Sequence, residues 1–568
     1  MKKKSKSILI VCALILLIIA LTGAVLLIRK YTPSKEHENL NSYYGLSSNS
    51  EVAIILNDTV MDAKAKVIDG HIYLDFDFLH NELNSRFYWD HNENILLYAT
   101  SQDLISATAD SNSYMITKSS VDYGRPVVKA NADSAYVDLE FAKEYSDFQY
   151  DYIKDPHRLV IYSQWGDYET ASLKRNTSIR LKGGVKSPIL KDGKAKEEVT
   201  ILEQGENWSK VATEDGIIGY TKNRMLSSTE TRTRKSDFKP EAFAHIKKDS
   251  TICMAWHQVT NQSANSTIAN VLASTKGINV ISPTWFYLND NEGNIANLAS
   301  LDYVNYCHSQ NVEVWGLVSN LENKDADSTE VLTHTSKRQN LVNQIISMAI
   351  QYNLDGINLD FEALSRENVG DSYIEFVREL SLKCSNNGIV FSIDNYVPTD
   401  YTSFYNRAEQ ANFADYIVIM GYDEHYAGSE EEGSVSSLGW VRQGVDDTLK
   451  EVPSEQVILG MPFYTRVWTL PSSEDNENDS VSSQVYGMKA ANDLLVTMGA
   501  TKTWQADSGQ NYAEFKDGDN TCRVWLEDSA SAEERLKLMQ EKELAGASFW
   551  KLGFETSDIW DTIIKYIN

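Results

Sequence analysis

The chain is 568 residues long, with 42% hydrophobic and 23% charged residues, which is the balance of ordinary globular protein and enough length for several domains. Its formal charge is -27, and the first thirty residues contribute only basic groups, so the remainder is more acidic still. Such a surface repels phosphate backbones, which excludes nucleic acid as a partner and leaves neutral sugars compatible. Lys2, Lys3, Lys4 and Lys6 precede an uncharged run from Ile8 to Ile28, closed by Arg29 and Lys30. A helix of that length spans about 30 Å, a bilayer core. The run exceeds the roughly 7–15 apolar residues of a cleaved signal peptide. Residues 8–28 are therefore expected to be an uncleaved, single-pass membrane anchor with the large domain outside; cleavage and secretion is the alternative. The rest of residues 1–50 divides into a short cytoplasmic tail and, over 29–50, a polar tether carrying Pro33 and Ser47-Ser48-Asn49-Ser50. Cys12 lies in the apolar run. Cys253, Cys307, Cys384 and Cys522 lack the paired spacing of metal or redox motifs, so buried free thiols are expected and one extracellular disulfide stays open.

Residues 51–165 read as short strands, Val52–Leu56, Ile72–Phe76, Ile95–Tyr98 and Leu159–Tyr162, separated by turn residues such as Asn57-Asp58. This stretch resembles the small α+β stalk domain named after the copper amine oxidase N-terminus. No copper is implied, since no ligand cluster is present, and the expected role is spacing or wall binding. Residues 166–230 hold a third unit, with strands Val199–Leu202, Trp208–Ala212 and Ile217–Tyr220 punctuated by Gly205 and Gly216. The string Trp208-Ser-Lys-Val-Ala-Thr-Glu-Asp-Gly-Ile-Ile-Gly-Tyr220 resembles a bacterial Src-homology-3-like barrel. That resemblance implies binding of cell-wall peptides over residues 170–228, with Trp208 and Tyr220 as candidate contacts, although a core position is the favoured reading for Trp208.

Over 239–568 strands alternate with helices. Eight strands are predicted: Ile252–Trp256, Val280–Pro283, Glu313–Val318, Gly356–Phe361, Val390–Ile393, Tyr416–Met420, Val457–Met461 and Ala547–Trp550. The number and length suit a (β/α)8 TIM barrel. Leu341, Val342, Ile345, Ile346, Ala349 and Ile350 form the apolar face of a helix. Ser531 and Glu534 suggest a capping box at the start of the last full helix. Between the seventh and eighth strands, about 466–528, a small α+β insertion is expected, with a hairpin turning at Lys516-Asp-Gly518. The whole chain is thus expected to be multidomain: an N-terminal transmembrane helix, a small α+β domain, a small β barrel and a TIM barrel with an insertion.

Within the fourth strand, Asp355-Gly356-Ile357-Asn358-Leu359-Asp360-Phe361-Glu362 alternates apolar and polar residues. Asn358, Asp360 and Glu362 share one face. Carboxylates side by side in a covered strand cost stability, and perturbed acids in a cleft serve acid catalysis. The string resembles the signature of glycoside hydrolase family 18, the chitinase-like enzymes, with Asn358 where chitinases usually have Asp. The Asn variant is similar to the branch of spore cortex-fragment hydrolases that act on peptidoglycan. The resemblance implies Glu362 as general acid/base and Asp360 as the group that orients the substrate's own N-acetyl nucleophile, with no attacking enzyme carboxylate. It implies that Tyr422 and Asp423, in Met420-Gly-Tyr-Asp-Glu-His425, bind the acetamido group. Tyr464 and Arg466, in Gly460-Met-Pro-Phe-Tyr-Thr-Arg466, become sugar contacts, and Trp550 the floor of the cleavage site. Trp256 and Trp285, at the exits of the first two strands, extend the groove in this reading. Asn358 is expected to donate a hydrogen bond to Asp360 and keep it ionised.

The acidic loops Gly428–Gly433 and Ser472–Asp479 offer oxygen ligands of the kind calcium takes, without a spaced calcium-loop pattern, and are expected to be solvated surface. No cofactor and no metal is expected. Together these readings predict a membrane-tethered glycosidase cleaving β-1,4 bonds of N-acetylated polysaccharide, peptidoglycan before chitin. The competing reading is a wall lectin or scaffold that uses the same barrel without turnover.

Overall fold

A computed structural model describes residues 2–131, 134–470 and 481–567, so the acidic loop 472–479 lies outside the described residues. The chain divides into two compact units, one over 1–89, 107–115 and 119–240, the other over 90–106, 116–118 and 241–568.

The first unit begins with a helix, Lys2–Tyr31. Its stretch Ile8–Tyr31 has mean hydropathy 3.2 and no buried residues, and is long and apolar enough to cross a membrane; a signal sequence meets the same description. The polar segment expected to be a free tether is instead seated. Tyr44 is 1% exposed and donates to Gly216 O at 2.8 Å, and Tyr43 donates to Ile218 O at 2.7 Å. Glu38 N donates to Ile189 O and Ile189 N to Glu36 O, both at 2.8 Å. The buried Tyr44 and half-buried Tyr43 in Leu40–Tyr44 outweigh the polar composition around them.

A seven-stranded sheet runs Gln149–Lys154, His157–Tyr162, Glu51–Leu56, Thr59–Ile68, His71–Asp75, Ser134–Asp138 and Val128–Asn131. Its first and last apolar segments, Glu51–Leu56 and His157–Tyr162, pair in parallel. A second sheet runs Ile189–Gly193, Thr177–Arg180, Ile218–Lys222, Trp208–Thr213, Glu198–Gln204, Gly166–Ser172 and Glu230–Arg234. The two sheets share one apolar core, in which Ala53, Ile55 and Val160 pack with Leu173, Ile179, Val211 and Ile217. Beside it Asp215 binds Arg158 Nη2 at 3.0 Å and Lys191 Nζ at 2.6 Å. Trp208 is half-buried rather than core, with the Lys222 ammonium 5.5 Å from its ring.

In the second unit, eight parallel strands close a barrel: β1 Ile252–His257, β2 Val280–Pro283, β3 Glu313–Ser319, β4 Gly356–Asp360, β5 Val390–Tyr396, β6 Tyr416–Met420, β7 Val457–Pro462 and β8 Gly546–Trp550. The order is β2-β1-β8-β7-β6-β5-β4-β3, and β2 pairs with β3 to close the ring. Alternation divides each strand. Met254, Trp256, Val390 and Val418 fill the interior, whereas Ala255, Ile357, Leu359, Ile393 and Ile417 face the helices. Gly356 is required by a close approach, because a Cβ there would sit 2.6 Å from the Trp315 ring. Asp355 stays outside the cleft and accepts from Val314 N and His308 Nε2, both at 2.8 Å.

The helix Thr335–Gln351 buries Leu341, Val342, Ile345, Ile346 and Ala349, but Ile350 is 60% exposed, at the edge of the stripe where the helix ends. The last full helix starts earlier than its Ser-x-x-Glu pattern suggests. It spans Ser529–Glu541 with Asp528 as N-cap, and Ser531 is the third residue of the box. Among the described residues the insertion is a five-stranded sheet over 464–526 with one helix, Met488–Met498. Its hairpin pairs Gln510–Asp517 with Asn520–Leu526, so the turn falls on Gly518-Asp519. Cys253, Cys307, Cys384 and Cys522 are buried free thiols.

Candidate active site

The strand alternation that turns Ile357 and Leu359 toward the helices sends polar residues inward on two adjacent strands. β4 contributes Asn358 and Asp360, and the residue two beyond, Glu362, follows on the exit loop. β5 contributes Ser392, Asp394 and Tyr396. Asn358 lies beside Ser392 in the ladder, so Asp360 rises beside Asp394. At the barrel's C-terminal end these residues line a cleft of about 160 Å³, with Trp256, Met420, Tyr422, Asp423 and Trp550 completing the wall.

Glu362 is held from both sides. Its backbone N–H donates to Asn320 Oδ1 at 2.8 Å, and Asn320 Nδ2 donates to its carbonyl at 2.9 Å. The next residue, Ala363, takes φ 54°, a left-handed turn that costs a non-glycine residue about 1 kcal/mol and swings Glu362 out of the strand. Ala363 N donates to Tyr396 Oη at 3.2 Å. Burial raises the Glu362 pKa, opposed by a hydrogen bond from Tyr396, while Asp423 and Glu322 add to the rise. Burial pushes Asp360 well above the usual carboxylate range, and Glu362, Asp394 and Glu322 push the same way. Its Oδ1 is buried with no hydrogen-bond partner among the described residues.

The floor is aromatic. Trp256 and Trp550 meet edge to face at 5.8 Å, and Tyr422 meets Trp256 at 6.3 Å. Trp256 is 1% exposed yet reaches the cleft, and Trp550 is half-buried there. Asp423 is exposed at φ 61° and accepts from Tyr464 Oη at 2.5 Å.

Four expectations change. Asn358 does not serve Asp360: its two donors go to Ser392 Oγ at 3.1 Å and Asp394 Oδ1 at 2.8 Å. Its oxygen accepts from Trp256 Nε1 at 2.8 Å and Ser282 Oγ at 3.0 Å, which fills the amide's capacity. Trp285 is no groove residue. It is fully buried against Tyr303 and donates to Asn265 Oδ1 at 2.8 Å. Tyr464 is 5% exposed and supports Asp423 from outside the cleft wall. Arg466 sits on the insertion sheet, donating to Ser483 Oγ at 3.1 Å, and is not part of that wall. In the acidic loop 428–433, Glu432 pairs with Arg523 and Glu430 and Glu431 are exposed.

With the geometry in place, comparison with known proteins assigns the chain. The model of Glycosyl hydrolases family 18 matches residues 217–555, more than half of the sequence. The chain belongs to glycosyl hydrolases family 18. It is a glycoside hydrolase carried on a closed eight-stranded parallel barrel. A second model, the copper amine oxidase N-terminal domain, matches residues 54–161. The uncharacterized glycosylase YvbX of Bacillus subtilis is 23% identical, covering 54% of this chain and 92% of its own. The cortical fragment-lytic enzyme of Bacillus subtilis is 27% identical over 44% of this chain, which spans 59% of that enzyme's length. Among solved structures, the spore cortex-lytic enzyme SleL of Bacillus cereus superposes with a TM-score of 0.51 at 18% identity, covering 59% of this chain and 78% of the other.

In this family 18 chain, Asp394, Tyr396 and Asn320 are site residues that the sequence reading did not single out. For β5 part of the signal was present: Ser392-Ile393-Asp394 alternates as Asn358-Leu359-Asp360 does, but Asn395 breaks the apolar run. Asn320 carried no such signal, because its role is to bond a backbone from a neighbouring loop.

Proposed function

We propose that the chain hydrolyses β-1,4 bonds following N-acetylglucosamine units of a wall glycan, spore cortex peptidoglycan before chitin. One observation carries the reading: Glu362 is a half-buried carboxyl of raised pKa, positioned by Asn320 and Tyr396 over an aromatic floor and beside Asp360, whose Oδ1 is unpartnered. A carboxyl whose pKa is raised by burial in a cleft is a competent general acid. Glu362 gives that proton to the glycosidic oxygen as the bond from C1 breaks. The carbonyl oxygen of the substrate's own 2-acetamido group closes on C1, forming an oxazolinium, while Asp360 accepts from the acetamido N–H. Tyr422 donates to the acetamido oxygen, and Asp423, fixed by Tyr464, borders the same group. Glu362 then removes a proton from water, which attacks C1, reopens the ring and leaves retained stereochemistry.

Similarity to the cortical fragment-lytic enzymes of Bacillus subtilis and Bacillus anthracis favours cortex over chitin. The helix over Ile8–Tyr31 supports attachment to the membrane with the barrel outside. Residues 166–230 are proposed as a Src-homology-3-like module for wall peptides, with the half-buried Trp208 and Tyr220 as contacts. The test is release of soluble reducing ends from purified cortex and from chitin oligomers by residues 31–568, against Glu362→Gln. Turnover by the parent alone, with a loss of about a thousandfold or more in the variant and retained binding, supports the enzyme. Binding without turnover by the parent supports the lectin.

A further inference from the structure

The cleft holds one more carboxyl than the proposed chemistry uses. Asp394 is 2% exposed and lines the cleft from β5. It is bonded to the Asn358 amide at 2.8 Å, and Asn358 has no hydrogen bond left for Asp360. Asp360 and Asp394 therefore rise side by side on paired strands, with Glu362 at the rim above them. Besides the Asn358 amide and the Trp256 indole, which favour the Asp394 carboxylate, the groups acting on Asp394 and its neighbour are acids and phenols. They are Glu362 from the β4 exit, Glu322 from the β3 exit, Tyr422 from the β6 exit and Tyr373 from the helix Ser372–Asn386. Tyr405 also acts on Asp360, and Arg407 acts on both Tyr373 and Tyr405. Among the described residues no Lys, Arg or His lines the cleft. Two carboxylates in such a place cannot both ionise, so the pair keeps a proton. The donors are unequal. Asp394 receives an N–H from Asn358, which favours its carboxylate, whereas Asp360 Oδ1 receives nothing. The proton accordingly rests on Asp360 when the cleft is empty.

We propose that Asp394 is a positioning residue that serves as the proton partner of Asp360. When a substrate's acetamido N–H reaches Asp360, the shared proton passes to Asp394, and Asp360 is left as the carboxylate that accepts the N–H. One proton moves between two carboxyls and no charge enters or leaves the cleft. Asn358, which cannot titrate, holds Asp394 in place for that transfer. The inference rests on the glycosidase reading and adds a residue on a different strand to it.

The experiment compares residues 31–568 with Asp394→Asn and with the exchange Asn358→Asp/Asp394→Asn on N-acetylglucosamine oligomers from pH 4 to 9. Asp394→Asn should lower kcat roughly ten- to hundredfold with KM little changed, and should move the acidic limb of the kcat profile by about one pH unit. The exchange moves the titrating partner from β5 to position 358 on Asp360's own strand, and should recover kcat to within about fivefold of the parent. A parental profile in Asp394→Asn, or an exchange variant no more active than it, overturns the proposal. Should the parent itself prove inactive, the glycosidase reading fails, and infrared difference spectroscopy still tests the pair. A carboxylic-acid carbonyl band that persists at neutral pH and disappears in Asp394→Asn supports the shared proton; an unchanged spectrum overturns it.

Discussion

Tyr396 shows how one side chain tunes the acid. Its phenol bonds Glu362 and takes the Ala363 N–H at 3.2 Å, so it both favours the carboxylate and fixes the turn. Removing the hydroxyl favours the protonated form. Glu362 must carry a proton to act as the acid, so in Tyr396→Phe the limb on which kcat falls with rising pH should shift upward, and maximal kcat should drop about tenfold; a pH series of initial rates measures both. Trp550→Ala should chiefly raise KM, about tenfold, because the ring offers a face to sugar and no proton; an unchanged KM would remove it from the floor. At this scale Glu362, Asp360, Trp256 and Trp550 were legible as residues of a cleft from the alternation and the strand exits. Asn358 was legible as a site residue but not in its partners, since hydrogen bonds across a barrel interior depend on which strands are neighbours. Trp285 misled because the end of a strand does not say on which side of the barrel wall an indole points.

At the scale of the element, apolar alternation located all eight barrel strands and erred mainly at their ends. β5 was read as stopping at Ile393, where the apolar run ends, yet it continues through Asp394 to Tyr396 because the barrel interior tolerates polar side chains at its catalytic end. The strand Thr59–Ile68 escaped notice because its charged residues interrupt the pattern. The helix Ser529–Glu541 has a chemical signature of its own. Glu527 is 2% exposed, bonded to Gln510 Nε2 at 2.6 Å and Ser531 Oγ at 2.7 Å, with Arg535 Nη2 at 3.2 Å. Burial raises its pKa from 4.5 to about 7 against the pull of Arg535. The folded state therefore holds this proton more tightly than the unfolded chain. The stabilisation is full below pH 4.5 and is lost as pH rises toward 7, a difference on the order of 3 kcal/mol. Asp415, raised to about 6 by burial, acts in the same direction. Thermal melts at pH 5 and pH 8 should show a smaller drop for Glu527→Gln than for the parent, and equal drops would contradict this assignment.

At the scale of the whole molecule, the linear order of segments does not coincide with the compact units. Residues 90–106 belong with the barrel. Asp90, fully buried, accepts from Thr335 N at 2.7 Å and Thr335 Oγ1 at 2.6 Å, at the start of a helix whose own N-cap, His334, makes no side-chain cap. Ala99 packs with Leu382 and Phe413. A capping carboxylate supplied from 245 residues away is invisible to local sequence patterns. Asp90→Ala should destabilise the barrel by about 1–2 kcal/mol, and the fragment 241–568 should melt several degrees below residues 31–568. Equal melting temperatures would show that the barrel does not need this segment. The chemistry itself is tested most directly by the stereochemistry of cleavage. Proton NMR of N-acetylglucosamine oligomers digested by residues 31–568 should show the new reducing end appearing first as the β anomer, with Glu362→Gln silent. Initial appearance of the α anomer would mean direct attack by water, and undiminished turnover by Glu362→Gln would remove that residue from the reaction.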